Sequence, residues 1–307
     1  MAKTDQLIAL LERYKKLGID SQLDYEKFYL YSIITHSTAI EGSTVTEIEN
    51  QLLFDEGISA KGKTIAEQMM NLDLKRAYEE SIRLAKLHTP ITVDVLKNLS
   101  RLVMLNTGSN LSYMSYQKVP LRLQELCDWL NEMRSHPMSM AERYDFSFEA
   151  HYRLLTIHPW ADGNGRMARL IMNHIQFEFG LVPSKVLKED KGDYINALIA
   201  TREDDNMSHF TDFMAEEMIK TLSMDIESFL KSTQESGEKT ENSGKKKLKS
   251  REKILALLKE HSEYSARKLA EEIGITPKAV EKQLANLKAS GLIRREGPDK
   301  GGKWIIS

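Results

Sequence analysis

This chain has little cysteine, no long apolar run and no zinc-type histidine spacing. Its one cysteine, Cys127, excludes an intramolecular disulfide and is typical of a reducing compartment. No segment approaches the ~18 consecutive apolar residues of a membrane-spanning helix, and no apolar run at the N-terminus suggests a signal peptide. The eight histidines include no H-E-x-x-H pair that would indicate zinc. We therefore expect a cytoplasmic protein without a membrane partner.

Charge of one sign is also lacking, because the net charge of −2 gives no overall indication of nucleic-acid binding. The charge is unevenly distributed along the chain, since residues 248–307 contain thirteen Lys and Arg but only eight Asp and Glu. Before residue 231, apolar residues recur mostly at helical spacing, which predicts a mainly α fold. Residues 231–250 are polar and have no apolar periodicity, so we predict a flexible linker there.

The most informative stretch is residues 158–169, which reads HPWADGNGRMAR. Apolar residues at three-to-four spacing on both sides predict a helix, a tight loop and a second helix. Pro159 should end the first helix, because a residue before proline is pushed out of the α region. Gly163 and Gly165 can adopt backbone angles closed to other residues. Successive amides there would form an anion-binding nest at the start of the second helix.

The side chains around this loop predict phosphoryl or nucleotidyl transfer. Arg166 and Arg169 are three residues apart on one helix face, which suits a di- or triphosphate. Asp162 is a hard oxygen ligand suited to Mg²⁺ shared with phosphate oxygens. His158 supplies an imidazole, the usual general base near neutral pH. Asp162 could instead cap a helix and Asn164 could be an ordinary turn residue, but packing explains the whole set poorly.

Residues 158–169 resemble the motif of the Fic family, HxFx(D/E)GNGRxxR, with Trp160 where phenylalanine is usual. The resemblance covers roughly residues 25–230 and implies a Fic-type helical bundle with a short β-hairpin flap. It implies transfer of AMP from ATP to a Ser, Thr or Tyr hydroxyl of a target protein or of the chain itself. Gly165 favours this reaction over a kinase-like branch that carries Lys at the same position.

The same resemblance implies a role for each residue of the loop. His158 would deprotonate the target hydroxyl and Asp162 would bind Mg²⁺. The implied phosphate-binding residues are Gly163, Asn164, Gly165, Arg166 and Arg169, of which Arg169 would contact the γ-phosphate. ATP and Mg²⁺ are therefore the expected ligands.

A second stretch, residues 37–42, reads STAIEG and resembles the Fic inhibitory motif, (S/T)xxxE(G/N). It ends an apolar helical segment, and Gly42 suits the position just past a helix end. The resemblance implies that Glu41, in a motif begun by Ser37, pairs with Arg169 and occupies the guanidinium needed by the γ-phosphate. We therefore expect an autoinhibited enzyme.

Residues 108–120 are the candidate for the flap that aligns the target segment. Their β-rich composition, between two helical stretches, predicts a short hairpin. The target-aligning positions would be Lys118, Val119 and Pro120.

Residues 251–307 resemble a winged helix-turn-helix, with three predicted helices followed by strands at 292–295 and 303–306. Thr276 followed by Pro277 predicts the start of the third helix. Basic residues there suit phosphate contacts with DNA. The candidate DNA-binding residues are Lys278, Lys282, Gln283 and Asn286. Glu281 in the middle of this helix counts against DNA binding, so a protein-docking role stays open.

The predicted organisation is therefore N-terminal helices over 1–60, a catalytic core over 61–230, the linker over 231–250 and the winged helix over 251–307. The direction of the reaction stays open, because removal of AMP from a target would use the same loop with Glu41 positioning water. A third option is a DNA-binding transcriptional regulator whose Fic domain senses ATP, although such a sensor needs no base at His158. A homo-oligomer also stays open.

Overall fold

A computed structural model describes residues 3–22, 24–108 and 118–241, and then 254–255, 257–259, 261–273, 276–289, 292–296 and 302–306. The chain divides into two compact units, residues 1–231 and 232–307. Throughout the described ranges, no helix combines the length and the apolar character needed to span a membrane.

The described part of the first unit is helical, which confirms the expected mainly α fold. In chain order the helices that begin in it are α1 (Lys3–Lys16), α2 (Tyr25–Ile40), α3 (Glu47–Glu56), α4 (Ile65–Lys86), α5 (Val93–Val103), α6 (Val119–Arg134), α7 (Met140–Ile157), α8 (Asn164–Glu178), α9 (Lys191–Glu203) and α10 (Ser208–Glu241). The last of these helices ends beyond residue 231. A 3₁₀ turn, Lys188–Asp190, directly precedes α9.

Side-chain caps fix the starts of α3 and α4. Thr46 and Glu49 form a reciprocal capping box at α3, and Thr64 and Glu67 form another at α4. Glu67 Oε1 also accepts a hydrogen bond from the Thr44 amide at 2.8 Å. The start of α4 therefore anchors the loop that follows α2.

Helix α8 is the centre of the first unit and packs against α7, α4, α5 and α2. Its apolar residues Met167, Leu170, Ile171 and Ile175 are all buried. Asn173 Oδ1 accepts a hydrogen bond from the Tyr78 hydroxyl on α4, and Gln176 Nε2 donates to Ser147 Oγ on α7. Because these buried polar groups are paired, α8 is fixed against its neighbours along its length.

The second unit contains α11 (Ala266–Ile273), α12 (Pro277–Ala289) and an antiparallel hairpin of β1 (Ile293–Glu296) and β2 (Lys303–Ile306). Residues 254–255 and 257–259 are helical as well. The unit has its own apolar core, formed by Ile254, Leu258, Leu269, Ala270, Val280, Leu284, Leu287, Ile293 and Trp304. The described elements agree with the predicted winged helix.

Two segments differ from the sequence-based expectation. Val119 and Pro120 open α6 with Lys118 at its N-cap, so these positions are helical instead of extended. Proline suits a first helical turn, where its missing N–H is not needed. The other flap candidates, 109–117, lie outside the described residues. Helix α10 continues to Glu241, so the predicted linker is helical at its start, where Lys, Gln and Glu favour a helix.

Candidate active site

The loop between α7 and α8 has the predicted helix–loop–helix form. Helix α7 ends at Ile157, and His158 adopts a left-handed conformation with φ of 50° and ψ of 58°. The His158 amide donates to the carbonyl of Leu154 at 3.1 Å and so closes the helix. Non-glycine residues rarely adopt this conformation. The His158 side chain is exposed.

A cavity of about 340 Å³ opens beside the His158 imidazole, between α7 and α9. Its walls are mostly apolar and include Tyr152, Ile195 and Leu198, while Arg202 lies at the same cavity. The imidazole is therefore accessible to a ligand.

Asn164 braces the loop from within. Its Oδ1 accepts from the Trp160 amide at 3.0 Å, and its Nδ2 donates to the Trp160 carbonyl at 2.6 Å. Trp160 is buried, as expected for an aromatic side chain that anchors the loop. Because both polar groups of Asn164 are engaged, its backbone amide remains as the group that could face a phosphate.

Glycine is needed at positions 163 and 165 for different reasons. Gly163 has φ of 80° and is the N-cap of α8. Gly165 lies in the first turn of α8, so the expected unusual backbone angle was wrong for this residue. A Cβ at Gly165 would lie 2.6 Å from Glu41 Oε1 and 3.2 Å from Arg169 Nη1. The missing side chain makes room for a carboxylate from the end of α2.

Arg169 and Glu41 form the ion pair that the sequence predicted. Arg169 Nη2 lies 2.6 Å from Glu41 Oε1. Arg169 Nε donates to Ser37 Oγ at 2.8 Å and Nη2 donates to the Ser37 carbonyl at 3.0 Å, so the carboxylate contact is not bidentate. Gly42, with φ of 104°, follows directly. Burial acts to lower the pKa of Arg169, but Tyr194 and Glu41 outweigh it and the pKa is raised.

Arg166 is held by weaker partners. Its Nη2 lies 2.9 Å from Met104 Sδ and 3.7 Å from Asp162 Oδ2, and its Nη1 lies 3.4 Å from the Val103 carbonyl. Its Nε is buried and has no hydrogen-bond partner among the described residues. Burial lowers the pKa of Arg166, yet arginine remains charged at neutral pH. A buried cation with an unsatisfied donor is a site that an anion would stabilise.

Asp162 lies at the mouth of this anion site. Its Oδ1 accepts from the Gly163 amide at 2.6 Å, and 72% of its side chain is exposed. In the part of the chain that the structure describes, no three His, Cys, Asp or Glu side chains cluster as a metal site. A single accessible carboxylate fits a Mg²⁺ ion that takes its other ligands from phosphate oxygens and water.

Comparison with known families agrees with this geometry. Residues 80–176, which include the loop, match the family model described as Fic/DOC family. The chain contains a Fic domain. Residues 248–294 match the model described as winged helix-turn-helix DNA-binding, so the Fic domain is followed by a winged helix.

Relatives of the Fic domain carry the name protein adenylyltransferase. The Caenorhabditis elegans protein adenylyltransferase fic-1 is 28% identical over 189 residues, which are 56% of this chain and 36% of that protein. The Drosophila mojavensis protein adenylyltransferase Fic is 30% identical over 255 residues, 72% of this chain and 49% of that protein. The chain therefore spans between a third and a half of the length of these curated relatives.

Solved structures share the fold. A Fic domain containing signaling protein from Bacteroides thetaiotaomicron has a TM-score of 0.62 at 23% identity, covering 72% of this chain and 96% of that one. A Fic family protein from Desulfovibrio desulfuricans has a TM-score of 0.58 at 16% identity and covers 100% of this chain and 96% of that one. At these identities the likeness shows the fold alone.

A buried polar network that the motifs did not indicate lies beneath residues 37–42. Asn71 Oδ1 accepts from Thr38 Oγ1 at 2.7 Å and from Asn50 Nδ2 at 2.8 Å, while Asn71 Nδ2 donates to Ser43 Oγ at 3.1 Å. All four side chains are buried. The signal was available, because polar residues at core-facing helical positions require partners.

In the winged helix, the structure describes the side chain of one of the four DNA-binding candidates. Gln283 is half-buried on α12. The side chains of the other three DNA-binding candidates, Lys278, Lys282 and Asn286, lie outside the described residues.

Proposed function

We propose that the chain is a protein adenylyltransferase that transfers AMP from ATP to a hydroxyl side chain of a protein and that Glu41 restrains it. The observation that carries the proposal is an accessible His158 imidazole on the loop that leads into the first turn of α8, where Arg166 is buried and incompletely paired. The names of the relatives support the same activity.

The residues divide the chemistry between them. His158 accepts the proton of the attacking hydroxyl, whose oxygen forms a bond to the α-phosphorus as the bond to pyrophosphate breaks. Arg166 and the first amides of α8 counter the phosphate charge that develops. The products are the protein–AMP ester and pyrophosphate.

Asp162 is the residue that would hold Mg²⁺. Bound there, the ion would neutralise phosphate charge and favour departure of pyrophosphate. The exposed carboxylate of Asp162 beside the α8 amides supports this assignment.

Glu41 restrains the site by charge and by space. Its carboxylate occupies the Arg169 guanidinium and lies against Gly165, where the outer phosphates of ATP would have to sit. The Glu41 carboxylate and the outer phosphates are both negatively charged and would repel each other there. ATP would therefore bind poorly or in the wrong pose for in-line attack. Ser37 supports the restraint by accepting hydrogen bonds from Nε and Nη2 of Arg169.

Substituting Glu41 by glycine tests the restraint. We expect Glu41→Gly to increase AMP incorporation from labelled ATP by about tenfold or more, since it removes a charge-assisted contact. Mass spectrometry of the self-modified protein would locate the added AMP. Glu56→Gly is the matched control, because Glu56 is exposed at the end of α3 and is followed by Gly57 in the same way. Equal labelling of wild type and Glu41→Gly would contradict the restraint.

The same assay tests the base. In the Glu41→Gly background, His158→Ala should reduce transfer by about two to four orders of magnitude. His136→Ala, at an exposed histidine between α6 and α7, should leave transfer unchanged.

Removal of AMP is a second candidate activity at this site. Glu41 is one-third exposed and lies beside Gly165, so it could hold a water for attack on an AMP ester. Release of AMP from a pre-modified target by the wild type, but not by Glu41→Gly, would favour this direction.

We also propose that the winged helix binds DNA. The match to a DNA-binding winged-helix model and the basic excess of residues 248–307 support this role. A gel shift with the full chain should weaken steeply between about 50 and 200 mM salt, because basic contacts release counterions from DNA. Lys278→Ala and Lys282→Ala should weaken the shift; no shift at low salt would favour protein docking.

The single cysteine also bears on location. Cys127 has no cysteine partner in the chain and is buried, and burial raises the pKa of its thiol to about 12, so it is a poor nucleophile. A cysteine content too low for an internal disulfide is the observation that supports a cytoplasmic protein.

A further inference from the structure

Met104 contacts the phosphate site but has no part in the reaction described above. It follows the last residue of α5 as its C-cap and is 6% exposed. Its Sδ lies 2.9 Å from Arg166 Nη2. The neighbouring Val103 carbonyl also faces the guanidinium, at 3.4 Å from Nη1. The C-terminal end of α5, which carries a partial negative charge, therefore faces Arg166.

Met104 also fills space that glycine leaves in the loop. A Cβ at Gly163 would lie 2.8 Å from Met104 Sδ and 3.1 Å from its Cγ. On its other side, the Gly108 amide donates to the Met104 carbonyl at 3.0 Å. The thioether is thus wedged between the start of α8 and the guanidinium of Arg166, with little freedom to move.

The chemistry of sulfur suits this position. A thioether is neutral and a weak acceptor, so it can orient a guanidinium without cancelling its charge. Arg169 shows the contrast, because a carboxylate neutralises it. Arg166 keeps a buried Nε that has no partner within the described ranges. Its nearest carboxylate, that of the exposed Asp162, is 3.7 Å away. The sulfur therefore helps to hold the guanidinium in place while most of its charge remains available.

We propose that Met104 is a positioning residue that holds Arg166 in the orientation that receives the phosphates of ATP. The inference rests on the proposed function, since it concerns the same phosphate site. Met104 acts through Arg166 and does not itself touch the nucleotide.

ATP affinity of the Glu41→Gly protein, measured by calorimetry with Mg²⁺ present, provides the test. Met104→Leu conserves volume but removes the sulfur, so it should preserve the unfolding midpoint while weakening ATP binding about three- to tenfold. Met214→Leu is the matched control, because Met214 is a buried methionine on α10. It should leave ATP affinity unchanged.

A double-mutant cycle separates positioning from a general effect on packing. In an Arg166→Ala background, Met104→Leu should have no further effect on ATP affinity, because the group it positions is gone. Equal affinity of Met104→Leu and its parent would overturn the proposal. A loss of the same size with and without Arg166 would overturn it too.

Failure of the proposed function gives a different result. A Glu41→Gly protein that binds ATP but transfers no AMP would contradict the transferase, and the binding cycle would still decide the role of Met104. A Glu41→Gly protein that binds no ATP would overturn both.

Discussion

Two arginines three residues apart on α8, Arg166 and Arg169, differ in how strongly their guanidinium groups are paired. Arg169 is paired with Glu41 and Ser37 at short distance. Arg166 contacts a sulfur and a distant carbonyl, lies 3.7 Å from the exposed Asp162 carboxylate and retains an unpaired Nε. A guanidinium with a carboxylate partner must lose it before it can bind phosphate, and this exchange costs free energy. The Asp162 carboxylate lies 3.7 Å from Arg166 and is mostly exposed, so this cost is smaller for Arg166, and we infer that Arg166 makes the first contact with an incoming nucleotide.

Gly165→Ala should reveal the contact between α8 and Glu41. Alanine favours a helix over glycine by about 1 kcal/mol, but its Cβ would meet Glu41 Oε1 at 2.6 Å. We expect Gly165→Ala to lower the free energy of unfolding by about 1–2 kcal/mol in the wild type and by clearly less in Glu41→Gly. Urea unfolding of the four proteins measures this. The same cost in both backgrounds would mean that the carboxylate does not press on Gly165.

For individual residues, the sequence motif indicated which positions form the site but did not indicate why each residue type is needed there. The motif indicated glycine at 165, but the need for it comes from Glu41, whose partner Arg169 is 128 positions away in sequence. Met104 could not be predicted at all, since a methionine in an apolar pattern is ordinary core. Contacts of this kind depend on helix packing, which periodicity alone does not determine.

The end of α2 is the element that places Glu41, and buried amides fix it. Asn71→Ala would remove one buried hydrogen bond each from Thr38, Asn50 and Ser43. We expect a loss of about 2–4 kcal/mol in unfolding free energy and, because α2 loosens, an increase in AMP transfer. Asn98→Ala is the control, at a half-buried asparagine on α5. It should change the unfolding free energy by no more than about 0.5 kcal/mol and AMP transfer by no more than about twofold. Destabilisation without increased transfer would show that Glu41 does not depend on this network.

Helix boundaries followed from the sequence where local chemistry sets them. The Thr46–Glu49 box and the Thr92 cap at the starts of α3 and α5 are local patterns of this kind. The start of α6 and the length of α10 were not predicted. A proline and a polar stretch were interpreted as flap and linker, although both are compatible with a helix when tertiary packing or helix propensity favours one.

Across the whole molecule, buried histidines link stability to pH. Burial, reinforced by the charge of Arg169, lowers the pKa of His151 to about 3. Burial also lowers the pKa of His174 to about 4. A lowered histidine pKa means that the folded state prefers the neutral ring. The stability it contributes is present above pH 6.5 and is lost as the pH falls towards the folded pKa.

His174→Gln should therefore flatten the pH dependence of folding. Between pH 6.5 and about 4 the wild type should lose up to about 1.4 kcal/mol per pH unit more than the variant. Burial raises the pKa of Glu217 to about 7, so protonation of Glu217 stabilises the fold as the pH falls and opposes the effect of the histidines. The difference between the two proteins isolates the contribution of His174. Urea unfolding at pH 7, 6 and 5 would measure the difference. Parallel curves would show that His174 becomes protonated without unfolding.

The pairing of Glu41 with Arg169 has a consequence for how the chain would respond to its surroundings. A carboxylate fixed to α2 competes for one guanidinium with a nucleotide that diffuses freely. The fold sets the effective concentration of the Glu41 carboxylate, whereas metabolism sets the concentration of ATP. The fraction of molecules released from restraint would then rise with the ATP level, so the resting enzyme would report the energy supply of its cell.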